Sequence, residues 1–464
     1  MEAIFKEVYS LDKGCYDKGL NEFILMENAA RAMYEEIKKR DIKSVCIIAG
    51  GGNNGADGIT LARMLLGEID VHLFLPLELK SEMAKFQFEV YKNYGGKYDE
   101  NEPSKESISK KYDCYVDAIF GSGLKRDLNT KINNIIKAIN KRDGFKIACD
   151  IPTGLDENGN KKGKIFKSDI TVTMGAKKLS LFSDLAKDYI GDIKVANLGV
   201  SFKNYIKKTN YYLLDKNDMQ LPFRTKSNSH KGSYGHLGVL VGEKKGAGVI
   251  AGLAGLNFGA GLVTCITREK TQIPYELMED DRISDKFSAI VFGMGMGNFY
   301  DDEIKNLAKL NIPMVIDADM FYKDEIKLFL DKKVILTPHP KEFASLLKIC
   351  EIGEYSVNDI QNNRFELALK FSEIYPNIVL LLKGANTIIA YKKQLYINSF
   401  GKPSLAKAGS GDVLAGMIGS LLAQGYHPLK ATITASLAHS FAGDIKPNYN
   451  LTPIKLIENL KGLK

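Results

Sequence analysis

The sequence lacks the cysteine spacing of a zinc site or a disulfide framework. Its six cysteines are scattered over 464 residues, with no Cys-x-x-Cys pair and no cysteine–histidine cluster. Zinc sites and disulfide scaffolds need such clustering, so we expect neither. Cys46, Cys114, Cys149 and Cys265 lie in apolar, strand-like runs, where cysteine usually acts as a small buried hydrophobe.

Long apolar runs are also absent. The longest, such as residues 413–423, fall well short of the ~20 residues that a membrane-spanning helix needs. Residues 1–7 lack the basic-then-apolar order of a secretory signal. We therefore expect a cytoplasmic protein with no membrane segment.

No block of positive charge stands out, although the formal net charge is +8. The lysines are spread along the chain, and this moderate charge suits anionic small molecules as well as nucleic acids. A composition of 45% hydrophobic and 26% charged residues is typical of globular proteins. The length predicts two or three domains.

Apolar runs alternate with amphipathic stretches in two series. The first predicts strands at 44–49, 71–75, 114–120, 146–150, 170–174 and 193–197 and helices at 58–66 and 132–139. The second predicts strands at 237–241, 263–267, 289–292, 314–317, 334–337 and 378–382, a hairpin at 387–397 and helices at 411–423 and 428–442. This alternation is typical of βαβ units around a mostly parallel sheet.

Residues 199–231, between the two series, are polar and irregular. We place a domain boundary there, near residue 212, because linkers between domains are typically polar. The sequence thus predicts two α/β domains in tandem, 1–212 and 213–464, the first a Rossmann-like three-layer domain.

A glycine-rich segment follows the first strand of the N-terminal series. Residues 50–58 hold five glycines, two asparagines and one aspartate, whereas a plain turn would need one or two glycines. A strand, a glycine loop and a helix start together form an anion site, because free backbone N–H groups and the helix dipole point at the ligand. The spacing differs from the G-x-G-x-x-G dinucleotide fingerprint. We interpret the segment as a ligand-binding loop.

Two later strands of this series also end in polar side chains. Asp117 precedes a second glycine turn at 121–123, and Asp150 precedes a turn that contains Thr153. In a parallel sheet these strand ends share the edge where ligands collect. Each aspartate alone could be a helix cap or a solvated loop residue, but the convergence of three such ends favours a site.

In order along the chain, segments 25–29, 53–58, 117–123 and 150–154 resemble the NAD(P)H-hydrate epimerase family over about residues 1–210. Ala56 stands where the family usually has a second glycine. The resemblance implies that the hydrated nicotinamide cofactor, called the hydrate below, is bound by Asn53, Asn54, Gly55, Ala56, Asp57, Gly121, Ser122, Gly123, Leu124, Lys125, Arg126, Asp127 and Asp150. It implies a potassium ion at Asn54, Asp117 and Thr153. Asp150 would be catalytic, moving protons and offsetting the positive charge that develops as hydroxide leaves the ring.

The predicted helix at 411–423 opens with Gly409-Ser410-Gly411-Asp412. Glycines at a helix N-terminus form a nest of N–H donors for a migrating phosphoryl group, and an aspartate beside it can accept a hydroxyl proton. Asp412 could instead only cap the helix, but capping explains neither the glycines nor the upstream Lys383. His339, between two prolines after a strand, is either a ligand contact or a core histidine. The glycines at 293–297 form either a tight turn or a ligand contact.

The Gly-x-Gly-Asp helix start resembles ribokinase-like kinases, which implies a ribokinase-like α/β fold for the second domain. Together with 231–242, 246–248, 259–263, 337–342 and 383–387, it makes residues 215–464 similar to ADP-dependent NAD(P)H-hydrate dehydratase. The implied ADP contacts are Lys383, Gly384, Ala385, Asn386, Thr387, Gly409, Ser410 and Gly411. The implied hydrate contacts are Ala247, Gly295, His339 and Asp412, with Asp412 as catalytic base. Magnesium would accompany ADP, held through water near Glu342.

Together the two resemblances imply a bifunctional isomerase and lyase. It would interconvert the R and S forms of hydrated NADH and NADPH and dehydrate the S form with ADP, releasing AMP and phosphate. We expect only small-molecule partners, with no nucleic acid and no membrane, and a homo-oligomer. One alternative is a small-molecule kinase fused to a nucleotide-binding domain, although such kinases tend to carry asparagine where His339 stands. Another is a non-catalytic dinucleotide sensor, against which Asp117 and Asp150 argue weakly, since binding would also use them.

Overall fold

The computed structural model describes residues 1–102, 110–298 and 301–464. The chain divides into an N-terminal unit, Ala3–Thr209, and a C-terminal unit, Asn210–Lys464, with which Met1–Glu2 are grouped. The boundary predicted near residue 212 lies beside this division. Each unit is an α/β structure, as the sequence predicts.

The secondary-structure elements alternate along both units. The strands are β1 (Glu2–Ile4), β2 (Ser44–Ala49), β3 (Asp70–Leu75), β4 (Lys97–Glu100), β5 (Cys114–Ala118), β6 (Phe145–Cys149), β7 (Ile170–Met174), β8 (Asp192–Ala196), β9 (Tyr211–Leu213), β10 (His236–Val241), β11 (Leu262–Thr267), β12 (Met278–Asp280), β13 (Ala289–Phe292), β14 (Met314–Ile316), β15 (Val334–Leu336), β16 (Val379–Leu382), β17 (Thr387–Tyr391) and β18 (Gln394–Asn398). The helices are α1 (Tyr9–Tyr16), α2 (Glu22–Lys38), α3 (Asn53–Leu65), α4 (Glu82–Asn93), α5 (Thr130–Ile139), α6 (Phe202–Tyr205), α7 (Lys245–Asn257), α8 (Asp301–Leu307), α9 (Pro340–Ile349), α10 (Val357–Asn362), α11 (Arg364–Ile374), α12 (Ser410–Ala423), α13 (Pro428–Ala442) and α14 (Pro453–Asn459).

The N-terminal sheet has the order β4-β3-β2-β5-β6-β7-β8, and every neighbouring pair is parallel. Alternate side chains of β2 enter different hydrophobic clusters, with Val45 and Ile47 on one side and Ile48 on the other. This pattern is expected of a strand in a sheet that is covered on both faces. The carboxyl ends of β2, β5 and β6 therefore meet at one edge, as the sequence predicts.

The glycine-rich segment differs from its prediction. A loop was expected up to residue 58, but α3 already begins at Asn53, so that expectation was wrong. A Cβ atom on Gly55 would lie 1.8 Å from the carbonyl oxygen of Gly50, and one on Gly58 would lie 2.5 Å from Cβ of Ala118. The glycines therefore let the first turns of α3 pack directly on the strand ends.

In the C-terminal sheet the strand order is β9-β18-β17-β16-β15-β14-β13-β10-β11-β12. The strands from β16 to β12 in this order are parallel, and β17–β18 form the predicted antiparallel hairpin. Strand β9 pairs in parallel with β18, inside a segment that the sequence analysis interpreted as irregular. Beside this sheet, α7 packs on α12, with Ile250 beside Gly409.

None of the helices in the part of the chain that the structure describes has the length and apolar character needed to cross a membrane.

Candidate functional site

Asp117, at the end of β5, is a buried carboxylate held by the turn after β6. Its Oδ2 accepts a 2.7 Å hydrogen bond from the Thr153 backbone N–H, and its Oδ1 accepts one of 2.7 Å from the Thr153 hydroxyl. Burial raises the pKa of Asp117 to about 6, although these hydrogen bonds act in the opposite direction. No lysine or arginine among the described residues forms an ion pair with it. A buried carboxylate without a counter-charge is unfavourable, so Asp117 and Thr153 offer oxygen ligands that suit a cation.

Asn54, on the first turn of α3, converges on the same strand edge. A Cβ atom on Gly121 would lie 2.9 Å from both Asn54 Oδ1 and Asp150 Oδ2. The Asn54 Nδ2 is buried, and no described residue hydrogen-bonds to it. An unsatisfied buried amide is unfavourable by about 1–3 kcal/mol, so this N–H group needs an acceptor such as a bound water or ligand. The oxygens of Asn54, Asp117 and Thr153 are the hard ligands that a potassium ion would require.

Asp150, directly after β6, forms an ion pair with Lys178. The Lys178 Nζ lies 2.5 Å from Asp150 Oδ1, and the ammonium is almost completely buried. Oδ1 also accepts a 3.3 Å hydrogen bond from the Met174 N–H, while Oδ2 accepts one of 3.3 Å from the Ser122 N–H. Burial opposes ionisation of Asp150, but the Lys178 charge and these hydrogen bonds outweigh it and hold its pKa below the ordinary value.

Two further acidic groups face this ion pair. Burial, followed by the charges of Asp150 and Asp12, raises the pKa of Asp57 well above its ordinary value. Burial also raises the pKa of Asp12, whose Oδ1 accepts a 2.7 Å hydrogen bond from the Tyr205 hydroxyl. The cluster therefore holds one carboxyl group whose pKa is lowered beside two whose pKa values are raised, an arrangement that suits acid–base chemistry.

The remaining residues that the resemblance assigns to the hydrate in this unit have different surroundings in the structure. Gly121 and Ser122 reach Asp150, and Gly55 is packed against Gly50. Asn53 is exposed and donates a 3.1 Å hydrogen bond to Glu22. Among the other members of the implied set, Ala56 and Leu124 are core residues, and Gly123, Lys125, Arg126 and Asp127 are exposed.

In the C-terminal unit, Asp412 lies on the first turn of α12, where Gly409 is the N-cap residue with φ of +87°. Its carboxylate accepts no hydrogen bond from any residue that the structure describes, so it does not cap the helix. Burial, with the nearby charge of Asp317, raises the pKa of Asp412 to about 6 despite the opposing charge of Lys383. A free carboxyl group with this pKa is suited to proton transfer near neutral pH.

Lys383 lies between Asp317 and Glu342, with which it forms ion pairs, and its charge also acts on Asp412. Its Nζ lies 2.8 Å from Asp317 Oδ1 and 3.8 Å from Glu342 Oε2. A Cβ atom on Gly411 would lie 3.5 Å from the same Nζ, so the ammonium reaches the start of α12. Burial disfavours its charge, but Asp317 and Glu342 outweigh burial and raise the pKa of Lys383. A fixed positive charge at a helix start suits an anionic ligand.

His339 is the N-cap residue of α9. Its Nδ1 accepts hydrogen bonds of 3.1 and 3.3 Å from the N–H groups of Lys341 and Glu342. Its Nε2 lies 3.2 Å from Glu342 Oε1. Burial, then the charge of Lys383, lowers the pKa of His339, so the ring is neutral at neutral pH. It is about half exposed, and both a capping role and a ligand contact fit this position.

The glycine turn after β13 contacts the start of α7. Gly293, Gly295 and Gly297 all have positive φ, at 107°, 54° and 57°, a conformation that glycine adopts without strain. A Cβ atom on Gly295 would lie 3.4 Å from Cβ of Ala247. The structure thus brings together these two residues, which the resemblance assigns to the hydrate.

A buried arginine donates hydrogen bonds to the backbone of segment 383–387 and of the residue before it. The Arg364 guanidinium donates hydrogen bonds of 3.3, 3.1 and 3.2 Å to the carbonyl oxygens of Leu382, Lys383 and Asn386. Gly384 packs on it, and Gly384 and Ala385 are exposed. Arg364 therefore fixes the backbone of the implied ADP-binding segment.

Ser410, the second part of the implied ADP site, is anchored by a histidine. Its hydroxyl lies 3.1 Å and its carbonyl oxygen 3.0 Å from His439 Nε2. Burial lowers the pKa of His439 to about 4, so the ring is neutral and fixes the helix start without adding charge.

Two family models match the chain. The "YjeF-related protein N-terminus" family matches residues 22–180, and the "NAD(P)H-hydrate dehydratase" family matches residues 237–461. The bifunctional NAD(P)H-hydrate repair enzyme Nnr of Helicobacter pylori is 43% identical over an alignment that covers 100% of both chains. The chain belongs to the bifunctional NAD(P)H-hydrate repair enzyme family.

Other members of this repair family are more distant. The Nnr enzyme of Dictyoglomus turgidum is 31% identical, with 92% of this chain and 90% of its own covered. A crystal structure of ADP/ATP-dependent NAD(P)H-hydrate dehydratase from Bacillus subtilis, co-crystallised with ATP/Mg2+, is 24% identical. It covers 52% of this chain and 92% of its own, with a TM-score of 0.43.

Several residues that shape these sites of the repair enzyme were not predicted from the sequence, among them Asp12, Lys178, Tyr205, Asp317, Arg364 and His439. Asp317 directly follows β14 and Lys178 follows β7 by a short turn, so the rule that applied to Asp117 and Asp150 would also have found them. Arg364 opens α11 and His439 lies inside α13, positions that carry no local signal of function.

Proposed function

We propose that this chain repairs hydrated NADH and NADPH through two activities. Residues 1–212 would interconvert the R and S hydrates, and residues 213–464 would dehydrate the S hydrate with ADP, releasing AMP and phosphate. Membership of the repair family supports both activities. The observation that carries the dehydratase assignment is the free Asp412 carboxylate beside Lys383 at the glycine-rich start of α12.

In the dehydratase reaction, Asp412 removes the proton from the hydrate hydroxyl, whose oxygen attacks the β-phosphorus of ADP. The bond between that phosphorus and the bridging oxygen breaks, and AMP leaves. The ring nitrogen then expels phosphate, and loss of a proton from the adjacent carbon restores the reduced ring. The Gly409–Gly411 N–H groups and Lys383 would stabilise negative charge on the transferring group. Segment 383–387 would hold ADP, and Ala247, Gly295 and His339 the hydrate.

In the epimerase reaction, the hydroxyl leaves the ring carbon as hydroxide, and the ring nitrogen supplies the electron pair to form an iminium ion. Water adds to the opposite face and loses a proton, which gives the other epimer. Asp150 would transfer the protons and offset the positive charge of the iminium. Gly121, Ser122 and the first turn of α3 would hold the hydrate beside it.

Two ions suit these sites. Asn54, Asp117 and Thr153 would hold a potassium ion, whose charge compensates the buried Asp117. Among the described residues, no three histidine, cysteine or acidic side chains are grouped to hold a metal, so magnesium would arrive with ADP and face Glu342 through water. When magnesium is bound, it neutralises part of the negative charge on the phosphate groups. We also propose that the protein is cytoplasmic and that it forms a homo-oligomer. Light scattering on the purified chain would test the oligomeric state.

The test is to incubate purified protein with a mixture of hydrate epimers and ADP. Return of the reduced-nicotinamide absorbance from the whole mixture is expected, with AMP and phosphate formed in equal amounts. Complete conversion requires both activities, because the dehydratase uses one epimer. Absence of any absorbance recovery with pure S hydrate and ADP would refute the dehydratase assignment.

A further inference from the structure

Lys178 is a buried cation to which the proposed mechanism assigns no role. It follows β7, its ammonium is almost fully buried, and it lies in the same cluster as Asp150. A lysine this deeply buried is unfavourable unless its charge and its three donors are satisfied. Its partners therefore indicate why the fold retains it.

The three acceptors around the ammonium account for all of its N–H donors. Nζ lies 2.5 Å from Asp150 Oδ1, 3.0 Å from the Thr173 hydroxyl and 3.2 Å from the Met174 carbonyl oxygen. An ammonium group has three donors, so no N–H remains for a ligand. Lys178 thus acts on the chemistry through the side chains around it, first of all through the Asp150 carboxylate that it holds.

The two oxygens of Asp150 have different surroundings. Oδ1 faces Lys178 and the Met174 N–H, whereas Oδ2 accepts one long hydrogen bond from Ser122 and lies beside Gly121. Asp150 has a φ of +69°, a left-handed conformation that is uncommon outside glycine and needs support from its surroundings. The ion pair supplies that support and leaves Oδ2 directed toward the turn that contains Gly121.

We propose that Lys178 is the positioning residue of the epimerase site, neutralising Asp150 and directing its Oδ2 toward the hydrate. This inference rests on the proposed epimerase activity. The other titratable groups that face Asp150 are Asp57 on α3, Asp12 on α1, Tyr205 on α6 and the adjacent Cys149. All of them are acids, so Lys178 is the cation that keeps Asp150 ionised among them.

Removal of Lys178 should change the pKa of Asp150 in a defined direction. Without the ammonium, burial remains and raises the pKa of Asp150. The variant Lys178→Met should therefore lose about 10²-fold or more in kcat for epimerisation at neutral pH. KM should change little, and part of the rate should return as the pH is raised, because Asp150 then ionises. A purely structural role would lower activity without moving the pH profile.

The experiment compares wild type, Lys178→Met and the matched control Lys177→Met, following chromatographically separated epimers across pH. Dehydration of S hydrate by the same samples, together with thermal unfolding, reports on integrity. Asp150→Asn and the double variant Asp150→Asn/Lys178→Met complete a cycle. If Lys178 acts through Asp150, adding Lys178→Met to Asp150→Asn should cause no further loss of epimerisation. A full additional loss, or an unchanged pH profile in Lys178→Met, overturns the proposal.

A second readout does not depend on activity. In protein labelled with carboxyl-13C aspartate, the Asp150 signal is identified by its loss in Asp150→Asn, and its titration is compared in wild type and Lys178→Met. A midpoint moved to higher pH supports the inference, and identical titrations overturn it. If this midpoint moves while wild type fails to interconvert epimers, the epimerase assignment fails and the ion-pair inference stands. Lys178→Arg, which keeps the charge, should retain the wild-type titration.

Discussion

Replacing Asp412 by asparagine separates catalysis from helix capping. Asparagine keeps the shape of aspartate and caps helices equally well, but it cannot remove a proton at neutral pH. Loss of a general base typically lowers a rate by ~10²–10⁴, or roughly 3–5 kcal/mol in activation free energy. Asp412→Asn should therefore stop ADP-dependent dehydration, measured as recovery of reduced-nicotinamide absorbance from S hydrate.

The same substitution has a calculable effect on stability. The pKa of Asp412 rises from 3.8 to about 6 on folding, so the ionised form destabilises the folded protein by at most about 3 kcal/mol above pH 6. This destabilisation is lost as the pH falls through that range, because the folded state takes up a proton first. Asp412→Asn removes it, so thermal unfolding at neutral pH should move to the same or a higher temperature.

Wild-type dehydration should fall as the pH drops through about 6, because protonated Asp412 cannot act as a base. Epimerisation by Asp412→Asn serves as the control for the other unit and should be unchanged. Dehydration close to the wild-type rate in this variant would refute the mechanism. A large drop in unfolding temperature would instead show that Asp412 stabilises the fold.

Four further outcomes are expected. Asp150→Asn should abolish epimerisation while S hydrate is repaired at normal speed; equal damage to both reactions would contradict separate sites. Asp117→Ala should lose potassium dependence and slow epimerisation, as measured by titration with potassium chloride; an unaltered potassium response would contradict that site. ADP should support repair well and ATP poorly, and comparable formation of ADP from ATP would reverse this assignment. Arg364→Met should raise KM for ADP about tenfold or more, since two carbonyl groups of the binding segment and that of the preceding Leu382 lose their donor, with KM for the hydrate as the internal control.

Local patterns in the sequence determined where most strands and the long C-terminal helices lie. The predicted ranges 44–49, 170–174, 289–292 and 428–442 coincide with β2, β7, β13 and α13. These elements are apolar runs with distinct polar or glycine-containing ends. Their hydrophobic periodicity and their end points can therefore be predicted from neighbouring residues in the sequence. The alternation of strands and helices likewise determined the parallel sheets and the edge at which Asp117 and Asp150 end their strands.

Elements that form only through contacts with residues far away in the sequence could not be predicted from local patterns. Strand β9 has only three residues, and its pairing with β18 is a contact across most of the C-terminal unit. The first turn of α3 was interpreted as loop because glycine is a poor helix former. Only the close approach of the strand ends in the folded unit shows why those glycines are needed.

The motifs in the sequence determined which carboxylates are candidates, but the tertiary structure decided their ionisation. Asp150 meets Lys178 28 positions away, and Lys383 meets Asp317 66 positions away. Asp117 meets no lysine or arginine among the described residues, so burial dominates its pKa. A carboxyl group's pKa depends on burial and on charges within a few ångströms, and both are set by packing between segments that are remote along the chain. The sequence therefore named Asp117, Asp150 and Asp412, and only the fold decided in which direction the pKa of each is shifted.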